Sequence, residues 1–261
     1  MAPKRKSTPS WNPLRFGASS SDSTPSYVRF CDEIAKSDFS ENFSRQGIHS
    51  KHQVSLLDFS ETDIPTIIPV TCPSVIIQEF YSNMDGFDYF VPYFITRIQG
   101  TRIVITPNIV SEVLHVPRLE HPDYPSCDRL RTVSKDEFSF LFCETPSFWG
   151  DRQNTPCFGF AKGPRFLNMV MKFVLHPLSH YNSITELGAR FLLSLLEGLS
   201  IDFPSHFILS LIDVYSNTTT HDKLIFPSAI IRLLHHFSIS YPKSTHFSVM
   251  CAIDAATVRQ S

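Results

Sequence analysis

The side chains of this chain that could do chemistry are its carboxylates, histidines and cysteines, and their spacing decides which chemistry is open to them. A metal-dependent nuclease needs two or three carboxylates converging on paired Mg²⁺ ions about 4 Å apart. The acids available in the helical half are Asp202, Asp213 and Asp222, with Glu186 and Glu197. Asp202 precedes Pro204 and reads as a helix cap, Glu186 reads as one half of a capping box, and Asp213 and Glu197 read as solvent-facing. None follows a core strand. His176 and His180 have the i, i+4 spacing that puts two imidazoles on one metal, but Pro177 lies between them and no glutamate follows His176 as HExxH requires. His235 and His236, with His246, fit an exposed helix end, where a cationic imidazole complements the dipole. Cys143 and Cys157 are nucleophile candidates by residue type alone, and a buried inert cysteine is the commoner case. There is no GxSxG, Walker A or GxGxxG motif. The sequence therefore predicts no catalytic, metal or cofactor-binding residue, and so a non-enzymatic protein with no cofactor and no small-molecule ligand.

Basic residues point elsewhere. Lys4, Arg5 and Lys6 could act as a minimal nuclear import signal, against the plainer reading of an ordinary basic tail. Arg97 and Arg102 flank a turn, and Arg165 and Lys172 share a helix; together they could form a weak nucleic-acid patch, against the plainer reading of solvated faces. The formal net charge of -2 argues against a dedicated nucleic-acid binder.

These side chains need elements to hold them, and 261 residues with 23 Phe and 42% hydrophobic content suffice for a core. Residues 1–26, rich in Ser, Pro and Thr, read as a disordered basic leader. A weak helical pattern runs from Tyr27 to Phe43 through Phe30, Cys31 and Ile34. Pro73 opens a helix whose stripe is Ile76, Ile77, Phe80, Tyr81 and Met84, ended by Gly86. Tyr93–Ile98 and Thr101–Ile105, joined by Gln99-Gly100, form a hairpin. Thr106 caps the next helix, Pro107 is its first residue, and Pro117 stops it. Residues 118–133 read as a polar loop. Ser134 and Glu137 make one capping box and Ser183 and Glu186 a second. Residues 144–162 read as loop anchored by Trp149 and Phe158. Helices then open at Pro164, near Glu186, at Pro204 and at Pro227. The six cysteines, without a CxxC pair, and the lack of an apolar leader or spanning segment predict an intracellular protein with free thiols and no membrane contact.

The order of these pieces, EFYSNM (Glu79–Met84), RIQGTRIVITPNIVSEVLHVP (Arg97–Pro117) and the helical run from Gly163 to Tyr215, resembles the "putative plant transposon protein" domain family. The hairpin-and-helix piece is also similar to the broader plant mobile domain. The resemblance covers roughly Phe39 to Phe237. It implies a plant protein tied to retroelement or transposon remnants, and it carries over no catalytic residues. Family members have a longer linker with a Trp ahead of the EFY helix than Asp63–Val70 provides.

The expectation is a mainly α, multi-helix domain with one small β-hairpin. The domain runs from 27 to 240, best supported over 71–238, behind the 1–26 leader and before a weakly structured, truncated tail at 241–261. As a transposon-derived, non-catalytic module it would meet an unknown protein partner or make weak nucleic-acid contacts, inside the cell, with the nucleus as a candidate compartment. The alternatives are a fragment of a transposase or metal-dependent nuclease, or a decaying retroelement reading frame without selected function.

Overall fold

The computed structural model describes residues 28–44, 46–48, 52–54, 73–146, 148–150, 152–157, 159–177, 183–217, 223–241 and 250–253. The leader with Lys4, Arg5 and Lys6, the Asp63–Val70 stretch, and Tyr27, Phe158, His180, Asp222 and His246 lie outside the described residues.

The chain enters through α1 (Glu33–Asp38), capped by the Asp32 carboxylate accepting from Ala35 N, and continues as a π-helical turn over Phe39–Phe43. Two short strands follow, β1 (Gly47–Ile48) and β2 (His52–Val54). Helix α2 (Ser74–Ser82) buries Ile76, Ile77, Phe80 and Tyr81. Next comes a three-stranded antiparallel sheet of β3 (Asp85–Asp88), β4 (Tyr93–Ile98) and β5 (Thr101–Ile105). The β4–β5 register pairs Phe94 with Ile105, Thr96 with Ile103 and Arg97 with Arg102. Phe94, Thr96 and Ile98 alternate inward, as a half-buried strand demands. Gln99 and Gly100 both take positive φ, 51° and 82°, the geometry of a two-residue hairpin turn whose twist matches the strands. Helix α3 (Pro107–Leu114) starts at Thr106, whose Oγ1 accepts from Ile109 N, and stops at His115 in the left-handed region.

The second half opens with α4 (Asp128–Thr132) and α5 (Lys135–Phe142). β6 (Asn154–Pro156) pairs antiparallel with β7 (Ser183–Thr185). Between them α6 (Lys162–Val170) runs into a second π-helical turn over Met171–Leu175. Helix α7 (Glu186–Leu196) follows, then α8 (Phe203–Ser216). β8 (Lys223–Leu224) pairs parallel with β1, α9 (Pro227–His236) closes the helical series, and β9 (Met250–Ile253) pairs parallel with β2.

Two main cores result. The first joins the sheet, α2, α3, α8 and α9 through residues such as Phe80, Phe94, Phe207 and Phe226. The second joins α4, α5, α7 and the β6–β7 ladder through Phe138, Phe142, Trp149 and Phe191. No helix among the described residues is long and apolar enough to cross a membrane.

The mainly α expectation holds in its coarse form, but one hairpin understates the strands. β3 extends the hairpin to three strands, and its sequence, DGFD, carries no apolar alternation to announce it. Gly86 does not end α2; the helix stops at Ser82, and Gly86 sits inside β3 at φ 53° beside a register shift. The Ser183–Glu186 box is also displaced: Ser183–Thr185 is strand, and Thr185 caps α7 by accepting from Gly188 N at 3.1 Å. Ile34 is exposed, and Ala35, Phe39 and Phe43 are the buried positions instead, because the stripe at i, i+4 and i+8 that meets the core starts one residue later than Ile34. The 118–133 loop contains the short α4.

Candidate interaction groove

The described residues place their polar side chains in small groups, most of them outside any shared site. One groove stands apart. It has a volume of roughly 720 Å³ and lies where the loop 118–126, the start of α8 and the β3–β4 turn meet.

Its floor is built by α8. Asp202 occupies the N-cap position without capping the helix. Its carboxylate takes Arg118 Nε on both oxygens, at 3.0 and 3.2 Å, and accepts from Ser205 Oγ at 2.5 Å. Arg118 reaches on to Asn108 Oδ1 at 2.6 Å, which ties the floor to α3. A buried carboxylate needs such a partner, because desolvation otherwise drives it to protonate. One turn along, His206 is buried, with Nε2 3.1 Å from His176 Nδ1 and its ring 4.7 Å from that of Phe191. Burial, then His176, pushes His206 well below the ordinary imidazole value, so it is neutral at pH 7. Tyr124 closes the inner wall, its hydroxyl pushed up to about 12 by burial. The wall is fixed to α8 by its loop. Asp123 Oδ2 accepts from Ser200 N and Oγ at 2.9 and 2.6 Å, and those bonds lower its pKa.

The outer rim is apolar. Tyr89, Phe90 and Val91 are exposed, Phe90 at 97%. Their loop is preformed: Asp88 Oδ1 accepts from Phe90 N at 2.7 Å and Val91 N at 3.0 Å, an Asx-type turn. Tyr89 is held by a hydroxyl bond to Ser216 and an edge contact with Phe87 at 5.5 Å. Glu120 and Asp213 are exposed carboxylates on the same groove.

The residues singled out from sequence do not converge here. Glu186 pairs with Arg190 and Lys135, Glu197 with Arg129, and Asp213 accepts from Asn217. Asp202, Asp213 and His176 line the groove, but Asp202 is neutralised by Arg118 and the other candidates lie elsewhere. His235 stacks on Tyr241 at 5.9 Å, away from His176. Among the described residues no group of three or more His, Cys, Asp or Glu could hold a metal ion. Arg97 and Arg102 do stand together, opposite each other across β4–β5 on the face away from the core. Lys172 does not join Arg165 on a surface. It is 1% exposed and its Nζ donates to Ser183 O at 2.8 Å, because the π-helical turn rotates it inward under the β6–β7 ladder. That burial takes it out of any backbone phosphate contact.

Sequence reasoning missed the β3–β4 turn and the Arg118–Asp202 pair. The first had a signal in D-Y-F-V-P, an Asp two residues ahead of an exposed aromatic and followed by Pro, which is turn chemistry. The second joins residues distant in sequence, and nothing local marks it.

A family model described as "Putative plant retrotransposon-related domain" matches residues 64–240. No curated protein and no solved structure matches the chain.

Proposed function

Because the chain belongs to the plant retrotransposon-related domain family, we propose that this transposon-derived protein works by holding a protein partner rather than by catalysis. The observation that supports this reading is the preformed, exposed Tyr89–Phe90–Val91 rim over a groove with a satisfied polar floor. Exposed apolar surface bordered by polar groups is the usual mark of an interaction site.

The occupant that fits is a peptide segment of a partner protein with a bulky apolar anchor beside a lysine or arginine. The anchor would pack against Phe90 and Leu119, and the cation would face Glu120 and Asp213. Phosphates would meet those same carboxylates, which disfavours nucleic acid in the groove. A nucleic-acid role would instead use Arg97 and Arg102 on the outer face of the sheet. A random peptide library selected on the full chain tests this. Enriched peptides should share the apolar-plus-basic pattern and lose most of their binding to Phe90→Asp; no enrichment, or binding indifferent to Phe90→Asp, would overturn the reading.

The reading also places the protein inside the cell and in the nucleus, with Lys4, Arg5 and Lys6 as the import signal. A fluorescent fusion with all three changed to alanine should leave the nucleus. An unchanged distribution would contradict the signal.

A further inference from the structure

Beneath the β6–β7 ladder, three polar side chains meet in the dark of the second core. Cys157 follows β6 directly and is buried. Lys172 Nζ lies 3.4 Å from its Sγ and donates to it. The Asn168 side chain also bonds Cys157, while its Oδ1 is buried with no hydrogen-bond partner. Lys172 and Asn168 are each more than nine-tenths buried, and both belong to the segment running from α6 into its π-helical turn. This is an unusual pairing, because a buried lysine is costly and here its contacts are a thiol and a backbone carbonyl among others.

We propose that Cys157 and Lys172 form a redox modification site, in which peroxide joins the two side chains through a sulfur–nitrogen bond. Burial raises the Cys157 thiol above its ordinary value, and the Lys172 charge opposes that rise, so the thiolate forms as its proton is drawn off in the reaction with peroxide. The same burial pushes the lysine below its ordinary value, toward its neutral, nucleophilic form. The thiolate sulfur attacks one oxygen of hydrogen peroxide. The O–O bond breaks, an S–O bond forms, and the departing hydroxide takes a proton to leave as water. Sulfur is oxidised by two electrons and peroxide is reduced. The Lys172 nitrogen then attacks the sulfenic sulfur, the S–O bond breaks, and the hydroxide leaves as a second water with the proton shed by nitrogen. The sum is thiol plus amine plus one peroxide, giving a sulfenamide and two waters. Sulfenic acids condense with a backbone nitrogen to a sulfenamide; here the Lys172 amine takes the nitrogen's part, and 3.4 Å from Sγ is already close to contact.

The link would bridge the end of β6 to the π-helical turn, two pieces otherwise joined through side chains and the short ladder. It would therefore stiffen the second core under oxidising conditions.

Mass spectrometry on the full chain, reduced and then treated with hydrogen peroxide, tests the proposal. After digestion with a protease that does not need Lys172, the peptides carrying Cys157 and Lys172 should appear as one species. That species should be lighter than the two reduced peptides together by two hydrogens and should revert with dithiothreitol. Cys157→Ser and Lys172→Met should each abolish it, and Cys31, Cys127 and Cys143 serve as internal comparisons. Because Lys172→Met could fail to fold, the wild-type map stands on its own. Cys157 found as sulfinic acid, in a disulfide or unmodified, with Lys172 free, would overturn the proposal.

Discussion

Glu79 is the residue whose burial most needs explaining. It is fully buried on α2, and its Oε1 accepts from Gln99 N at 2.7 Å and Arg29 N at 3.3 Å, while Oε2 has no hydrogen-bond partner. Burial raises its pKa from 4.5 to about 7, against the two backbone N–H groups and the Arg29 charge. The folded state therefore holds the proton more tightly than the unfolded one. Stability is fully present below pH 4.5 and is lost as pH rises through about 7. His206 acts in the opposite sense: its folded pKa is depressed, so its contribution is present above pH 6.5 and is lost as pH falls below that. Glu79→Gln should flatten the decline in stability between pH 4.5 and about 7, seen in urea unfolding at the two ends of that window. An unchanged slope would mean that Glu79 is already ionised in the fold. At the rim, Phe90→Asp should change stability by no more than about 0.5 kcal/mol, since the side chain touches solvent rather than core. A large loss in urea unfolding would show that Phe90 packs.

Among the elements, those with their own local signals were legible in the sequence. The β4–β5 hairpin follows from apolar alternation around Gln99-Gly100, α3 from Thr106-Pro107, and α5 from a capping box seen in full. The elements that were not legible depend on partners. β3 exists because β4 offers it an edge, and β7 exists because β6 pairs with it, which leaves capping of α7 to Thr185 rather than Ser183. The groove was unreadable for the same reason, since Arg118 and Asp202 meet only through the fold. The amino-terminal elements show how far such partnership extends. Asn83 bonds Cys31 N and Arg29 O, and Phe43 packs on Tyr81 and Tyr215. All these amino-terminal partners precede the family-matched span of 64–240. A chain trimmed to that span loses the burial of Phe39 and Phe43, each about 1.5–3 kcal/mol, against a total stability of roughly 5–15 kcal/mol. Its Tm should fall well below that of the full chain in a thermal melt, and equal Tm values would show that residues 28–43 are an appendage.

At the scale of the whole molecule, α8 is the element both cores share. Phe207, Ile208 and Leu211 face the first core, while His206 meets Tyr124 and Phe191 of the second. The groove opens along that seam, so its floor is rigid where the two cores grip α8 and its rim is a hairpin turn held by Asp88. Such a site can receive a side chain with little reorganisation, which favours binding by limiting the entropy lost. Family membership gives the molecule its origin, and the groove is the surface on which the proposed partner would be held. The most direct measurement is heteronuclear NMR on the full chain, titrated in turn with an apolar-plus-basic dodecapeptide and with a short DNA duplex. The account predicts peptide-induced shifts confined to Tyr89–Val91, Leu119–Glu120 and the first turns of α8. Shifts at Arg97 and Arg102 with DNA, and none in the groove with peptide, would contradict it.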